Sequence, residues 1–100
     1  MERLSYEIYQ LQGNHRNCFM CYKYAHAHGG INFRDYDRVY TGTISSVNPI
    51  ETLERLYTVF NRPDRPVGFA GRSLSVSDIV VLEVDGAYFC DSIGWKKLAL

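Results

Sequence analysis

The chain has 100 residues, 46% of them apolar and 22% charged, which is typical of one ordinary globular domain over residues 1–100. Basic and acidic residues balance at 11 each, and this zero net charge argues against a surface devoted wholly to nucleic acid or a membrane. There is no apolar run near the roughly 18 residues of a membrane span and no signal-peptide pattern, so the three cysteines predict reduced thiols in a cytoplasmic protein.

The first part of the chain predicts a strand, a short helix and a second strand. Residues 4–11 alternate between apolar and polar side chains, as a half-buried strand does. Residues 19–28 predict a helix, and the two glycines that follow can cap its C-terminus. Residues 32–37 are turn-like, with room for one helical turn. Residues 38–44, which contain threonine and tyrosine, predict the second strand.

The strongest helix signal begins at Asn48. Asn48 is a good N-cap, Pro49 is the preferred first helical residue, and Glu51 completes a pair that resembles a capping box. The apolar face at helical spacing consists of Ile50, Leu53, Tyr57 and Phe60, flanked by Leu56. The helix is expected to end near Asn61, because Pro63 disfavours the helical conformation in the residue before it.

The C-terminal part predicts a loop and then a β-hairpin. Residues 62–71 form the loop, and a strand over residues 78–84 leads through a two-residue type I′ turn, Asp85-Gly86, into a strand over residues 87–92. The first of these strands is apolar on both faces, so it should be central in the sheet. The order β-α-β-α-β-β predicts an α+β domain with a four-stranded, mostly antiparallel sheet and two helices packed on one face.

A Cys-x-x-Cys pair, Cys18 and Cys21, precedes His26 and His28 and invites a metal or redox interpretation. A structural zinc site needs four such ligands in tetrahedral reach, but helical residues two apart point about 200° away from each other. A thioredoxin-like role needs the pair at a strand-to-helix junction, which the predicted strand end only roughly provides. The pattern therefore favours small thiols that are buried or partly buried, and we expect no metal and no cofactor.

Serine and aspartate side chains gather beside the hairpin: Ser73, Ser75, Ser77, Asp78, Asp91 and Ser92. Nucleophilic catalysis would need an adjacent base, and no such motif accompanies these serines. They are typical of turns and caps, where they bond loop backbone groups. Two alternatives stay open: a cation or nuclease site using Asp78, Glu83 and Asp91, and RNA cleavage with His15 as acid or base.

Basic and aromatic residues flank the helix exit and the chain end. The predicted partner-binding residues are Arg62, Arg65, Phe69, Arg72, Trp95, Lys96 and Lys97. Arginine and tryptophan are common interface anchors, and aromatic residues beside cations also suit RNA. The alternative interpretation is ordinary surface charge.

The C-terminal motif resembles the YodL-like domain. Residues 71–82 read GRSLSVSDIVVL and residues 88–94 read YFCDSIG, against a family pattern of approximately GHSLSVSDVVVL, a turn, and Y-[VC]-D-S-[FI]-G-F. Residues 6–11, 36–44 and 53–61 are similar to the family as well, so the resemblance covers nearly the whole chain. Arg72 stands where the pattern has His, which weakens any catalytic role that this position has in relatives.

The resemblance implies a protein of bacterial mobile elements that counters host defences. Some small plasmid- and phage-borne proteins that resemble this chain are anti-CRISPR proteins, and the founding member of the family is linked to the actin-like cytoskeleton. We therefore expect a non-enzymatic inhibitor that binds a type II CRISPR effector nuclease or its guide RNA. The alternatives are a module that binds actin-like cytoskeletal proteins and a guide-RNA ribonuclease that uses His15, His26 or His28. A homodimer stays open.

Overall fold

The computed structural model describes residues 2–46 and 48–99. The strands are β1 (Glu2–Leu11), β2 (Tyr36–Ser46), β3 (Ile79–Leu82), β4 (Gly86–Cys90) and β5 (Trp95–Lys97). The helices are α1 (Tyr22–Ala27) and α2 (Pro49–Val59), and a 3-10 turn, Phe33–Asp35, precedes β2. The α+β class is confirmed, but the predicted four strands are five.

The five strands form one antiparallel sheet in the order β2-β1-β3-β4-β5. The predicted central position of β3 is confirmed. The strand that the prediction missed, β5, pairs with β4 over only three residues, from Trp95 opposite Cys90 to Lys97 opposite Tyr88. Three residues are too few to show the period-two pattern of a strand, so only pairing reveals it.

The two helices lie on opposite faces of the sheet, and the predicted packing on one face is wrong. Val80 points to the face that Leu56 of α2 covers. Its neighbour Ile79 points to the other face, beside Phe89, and the ring of Tyr22 from α1 packs edge-on against Phe89 at 5.7 Å. Successive strand residues face opposite sides, so an unbroken apolar strand needs cover on both.

Helix α2 begins as predicted. The side chain of Asn48 accepts the Glu51 N–H at 2.9 Å, which satisfies a donor that has no partner within the helix. The buried stripe is centred on Leu56, however, while Ile50 and Tyr57 of the predicted face are 55% and 41% exposed. Within the described ranges, neither α2 nor any other helix has the length and hydropathy needed to cross a membrane.

Helix α1 is shorter than the predicted residues 19–28. Phe19 has φ +67°, a left-handed conformation that a right-handed helix cannot contain, so the helix begins only at Tyr22. Its C-terminus is capped by glycine as predicted, since the N–H of Gly30 donates to the Ala25 carbonyl at 2.9 Å.

The hairpin turn differs from the predicted two-residue Asp-Gly turn. Leu82 pairs with Gly86, so three residues, 83–85, connect the strands. The N–H of Asp85 donates to the Leu82 carbonyl at 3.3 Å, and Gly86 follows with φ +96°. Three-residue hairpin loops commonly combine a tight turn with a left-handed glycine in this way.

A β-bulge brings the loop over residues 62–71 against the edge strand β2. Ile8 is opposite Tyr40 and Tyr9 is opposite Arg38, so Val39 has no counterpart in β1. The carbonyl of Val39 instead accepts the N–H of Ala70 at 3.3 Å. This contact holds the end of the loop beside the sheet.

Candidate functional site

A buried ion pair lies where the chain enters β3. The guanidinium of Arg72 donates from Nη2 to Oδ1 of Asp78 at 3.2 Å, and from Nη1 to the Leu11 carbonyl at 2.9 Å. The Asp78 side chain is fully buried and that of Arg72 is 30% exposed. The structure therefore directs the charge of Arg72, a predicted partner-binding residue, mainly inward.

The Asp78 carboxylate accepts from two further donors. Its Oδ2 accepts the Ser75 N–H at 2.7 Å and the side-chain amide of Gln10 at 3.0 Å. Burial raises the pKa of Asp78 to about 7, although the Ser75 N–H, the Arg72 guanidinium and the Gln10 amide each act to lower it. Both carboxylate oxygens are thus occupied by groups of the protein itself.

Gln10 joins this ion pair to the preceding loop. Its Oε1 accepts the Arg72 N–H at 3.1 Å, and its Nε2 donates to the Arg72 carbonyl at 2.9 Å. A Cβ at Gly71 would collide with Oε1 of Gln10, so close packing requires glycine there. Gln10 is not among the predicted site residues. The sequence signal that could have identified it is its place on the same face of β1 as Tyr6 and Ile8, where its amide is buried and needs partners.

Two non-glycine residues with positive φ meet beside the ion pair. Phe19 (φ +67°) donates its N–H to Oγ of Ser77 (φ +85°) at 3.0 Å. The hydroxyl of Tyr36 donates to the Ser77 carbonyl at 2.6 Å. Such conformations persist only where surrounding contacts hold them. They leave the Phe19 ring 52% exposed, with the Arg72 guanidinium 4.7 Å from its centroid.

The serine and aspartate side chains act as the turn and cap interpretation predicts. Oγ of Ser75 donates to the Ser73 carbonyl at 2.9 Å. Oδ1 of Asp91 accepts the N–H groups of Tyr22 at 3.1 Å and Ser92 at 2.8 Å. These bonds satisfy backbone groups that the loops leave unpaired.

The alternative of a cation site on Asp78, Glu83 and Asp91 finds no support in their positions. Glu83 follows the far end of β3 and accepts the N–H of Ser5 at 3.1 Å, whereas Asp78 precedes that strand. Among the residues that the structure describes, no three His, Cys, Asp or Glu side chains come together to hold a metal ion.

The cysteines are free thiols, two buried and one partly buried, which confirms the predicted packing role. Sγ of Cys18 accepts from Nη2 of Arg72 at 3.4 Å, and Cys21 is the N-cap residue of α1. Burial raises the pKa of the Cys18 thiol, and it raises that of Cys90 to about 12. Raised pKa values leave little thiolate at neutral pH, which is typical of structural cysteines.

Both ring nitrogens of His15 are engaged. Nδ1 accepts the Asn17 N–H at 3.0 Å, so the proton of the neutral ring is on Nε2, which lies 3.1 Å from Oδ2 of Asp35. The ring adjoins an open groove of about 320 Å³ that Arg34 and Asp37 also line. A general base needs a free lone pair, and this arrangement leaves His15 none.

The predicted partner-binding residues of the long loop differ in their surroundings. Phe69 is half-buried and packs edge-on against Phe60, with ring centroids 4.8 Å apart. Arg62 and Arg65 are exposed, and Nη2 of Arg65 donates to Oγ of Ser73 at 2.6 Å. Of these three predicted residues, the two arginines are therefore open to a partner and Phe69 mainly completes the core.

The predicted residues of β5 point to both sides of the sheet. Nζ of Lys96 lies 5.2 Å from the ring centroid of Tyr22, on the α1 face. Nζ of Lys97 lies 5.9 Å from that of Tyr88, on the α2 face, where half-buried Trp95 packs against the core. The seven predicted residues consequently do not form one continuous patch.

A groove of about 210 Å³ separates α2 from the β4–β5 edge of the sheet. Its lining includes Glu54, Tyr57, Asp91 and Trp95. The charged side chains of this lining are acidic, so the immediate surroundings of Trp95 are not the basic face that the sequence suggested.

One comparison with known proteins finds a match. A family model described as YodL-like domain matches residues 5–100. No curated protein and no solved structure matches the chain significantly.

Proposed function

The chain belongs to the YodL-like domain family, and we propose that it is a counter-defence protein of bacterial mobile elements, an anti-CRISPR that inhibits a type II CRISPR effector nuclease. It would act by binding the nuclease or its guide RNA, without catalysis. The resemblance of the chain to small anti-CRISPR proteins supports the target, and the state of its polar groups supports binding over catalysis.

The observation that supports binding without catalysis is that the side chains best suited to acid–base chemistry already make hydrogen bonds within the protein. Asp78 accepts three hydrogen bonds from within the protein, and His15 bonds through both ring nitrogens. A catalytic carboxylate or imidazole must present a lone pair or a proton to the substrate. These two groups instead hold loops in place, and exposed aromatic and basic side chains remain for contact with a partner.

We infer that the nuclease complex is contacted through the long loop and β5. Arg62, Arg65 and Lys97 are exposed, and Trp95 offers an aromatic ring beside the groove along α2. Arginine and tryptophan contribute disproportionately to binding energy at interfaces. Arg72 contributes mainly by holding the loop end in position.

A DNA cleavage assay tests the proposal. Purified type II nuclease with its guide RNA is titrated with the chain, and cleavage is expected to fall. The double variant Arg62→Ala/Lys97→Ala should weaken inhibition about fivefold or more. Arg38→Ala is the matched control, since Arg38 lies on β2 and forms only an exposed pair with Glu7. Unchanged cleavage at large excess would refute the proposal.

A pull-down separates the partners. The tagged chain is offered the nuclease with guide RNA, the nuclease alone and the guide RNA alone. A fourth arm offers a bacterial actin-like cytoskeletal protein, and its capture in place of the other three would move the function to the alternative that the family resemblance implies.

The ribonuclease alternative would place the substrate in the open groove where His15 lies beside Asp35 and Arg34, and it requires His15 to release one of its present hydrogen bonds. Guide RNA that stays full-length after incubation with the chain and nuclease excludes this alternative. Shortened RNA that becomes intact again in a His15→Ala variant would establish it instead.

A further inference from the structure

The charges of this neutral protein are unevenly distributed along the chain. Between Glu7 and Asp35 there is no acidic residue, yet this stretch contains Arg16, Lys23, Arg34 and all three histidines. The three cations are exposed. The stretch includes α1 and the segments on either side of it, so the chain around α1 is locally basic.

Two aromatic stacks lie on opposite flanks of α1, because Tyr22 and Tyr24 are two residues apart in the helix. The rings of Tyr24 and His28 are 3.9 Å apart with 15° between their planes, and those of Tyr22 and His26 are 5.8 Å apart with 17°. Each pair has the four-residue spacing that brings helical side chains together. Tyr24 is 37% exposed and both histidines are exposed, so each stack presents an accessible ring face.

Further cations and apolar rings extend this surface. Nζ of Lys96, on β5, lies 5.2 Å from the Tyr22 centroid, and the Arg72 guanidinium covers the exposed ring of Phe19. A groove of about 250 Å³ opens beside Tyr22 and His26. Lys96 therefore lies over a ring of one stack, and Arg72 lies over Phe19, which belongs to neither stack.

We propose that this surface binds single-stranded nucleic acid. The α1 surface, as we name it, consists of Arg16, Phe19, Lys23, Tyr24, His28 and Lys96. Bases stack on the accessible faces of Phe19 and Tyr24, while Lys23 and Lys96 contact phosphates. Aromatic platforms flanked by cations are the usual means of holding a single strand without reading its sequence.

The geometry favours a single strand over a duplex. Base faces are available for stacking only when they are not already stacked within a double helix. Helix α1 has six residues, a length of about 9 Å, which is short for an element that reads the major groove. The inference goes beyond the proposed function, because it concerns a surface other than the long loop and requires no nuclease.

Fluorescence anisotropy with labelled oligonucleotides of about 10 nucleotides tests the α1 surface directly. Single-stranded RNA, single-stranded DNA and a duplex of the same sequence are titrated with the intact chain. Saturable binding to either single strand, tighter than to the duplex, is expected. A tighter RNA complex would identify RNA as the natural ligand, and a tighter DNA complex would identify DNA.

Four single variants locate the site. Tyr24→Ala should weaken binding about fivefold or more, since one stacking platform is lost. Lys23→Ala should make the negative slope of log affinity against log salt concentration shallower by about 0.7, as expected for the loss of one phosphate contact. Tyr57→Ala and Arg55→Ala are the matched controls, because they remove an exposed tyrosine and an exposed cation on α2, on the other face of the sheet. Both controls should bind as the unchanged chain does.

Absence of binding, equal affinity for the duplex, or equal losses in the control variants would each overturn the inference. The outcome is separate from that of the proposed function, because no nuclease is present. Inhibition of the nuclease without oligonucleotide binding would refute only the α1 surface, and oligonucleotide binding without inhibition would refute only the proposed function.

Discussion

The two faces of the sheet are covered by different means. On one face, α2 spans eleven residues and its apolar stripe, centred on Leu56, packs on Val80 and Leu82. On the other, α1 has six residues, and hydrogen bonds around Ser77 and Asp91 hold it and the segment before it to the sheet. A helix of two turns buries too little to anchor itself, so polar bonds replace apolar area.

This difference also separates the surfaces that the two faces offer. The groove along α2 has an acidic lining that includes Glu54 and Asp91, whereas the chain from Arg16 through Lys23 is basic and aromatic. Zero net charge therefore conceals two surfaces of different character. Substitutions in the polar network before β3 and in the apolar stripe of α2 should show how much each kind of contact stabilises the fold.

The largest effect is expected from Asp78→Ala. Removing the carboxylate leaves the partly buried Arg72 guanidinium, the Gln10 amide and the Ser75 N–H without their acceptor, at about 3–5 kcal/mol of unfolding free energy. Urea titration measures the loss. Asp64→Ala, in the exposed long loop, is the control and should lie within about 0.5 kcal/mol of the parent. A loss near 1 kcal/mol would show that the hydrogen bonds of Asp78 to Arg72, Gln10 and Ser75 contribute little to stability.

Leu56→Ala tests the α2 face. Truncating this fully buried side chain should lower the free energy of unfolding by about 2–5 kcal/mol, because apolar burial is lost and a cavity remains. Ile50→Ala, on the same helix but 55% exposed, should cost less than about 1 kcal/mol. Thermal unfolding followed by circular dichroism compares the two, and equal losses would contradict the assignment of the buried stripe.

Gly71→Ala should destabilise the protein by about 1–3 kcal/mol, because the added methyl group collides with Gln10 and disturbs its bonds to Arg72. At Gly13 nothing lies within 4 Å of an added Cβ, so Gly13→Ala should be neutral or slightly stabilising. The denaturant midpoints of the two variants, compared with that of the parent, measure these changes in stability. A neutral Gly71→Ala would mean that the Gln10 bridge shifts without consequence.

The most gradual expected effect is the contribution of Asp78 to the pH dependence of stability, because it is spread over several pH units. The pKa of Asp78 rises from 3.8 in the unfolded chain to about 7 in the fold, so between these values the native state binds more protons. The contribution is complete below about pH 4 and is lost as the pH rises through about 7, by about 1.4 kcal/mol per unit at the steepest. Urea titrations of the parent and Asp78→Asn should show the parent losing its relative stability over this range. A constant difference would contradict the shift.

Local signals in the sequence were sufficient for several elements. The alternation in residues 4–11 and the Asn48 cap each depend on neighbours in the chain, and both predictions are confirmed. The start of α1 and the residues of β5 were not predictable in this way. The conformation of Phe19 depends on Ser77, which lies 58 positions away, and β5 exists only through its pairing with β4.

The prediction of helices on one face failed for a different reason. The unbroken apolar run from Ile79 to Leu82 already required cover on both faces, but it did not indicate which segment supplies it. Chain order alone leaves each helix free to cross either face. The face that α1 covers is set by the packing of Tyr22 against Phe89, and this contact exists only in the folded structure.

The candidate binding surfaces, too, could be predicted from the sequence only in part. The seven residues predicted to bind a partner were chosen for their chemistry, and the fold separates them, because Lys96 and Lys97 point to opposite faces of β5. Arg72 has the sequence context of a surface cation, but in the fold its guanidinium bonds to Asp78 and to the Leu11 carbonyl.

The sequence by itself determined the α+β class, the central hairpin strand and the N-cap of α2, because periodicity and capping act over a few neighbouring residues. Only the tertiary structure decided which face each helix covers, which charges are buried and which rings stay exposed. Those properties depend on contacts between segments far apart in the chain, and a linear pattern of residue types does not contain them.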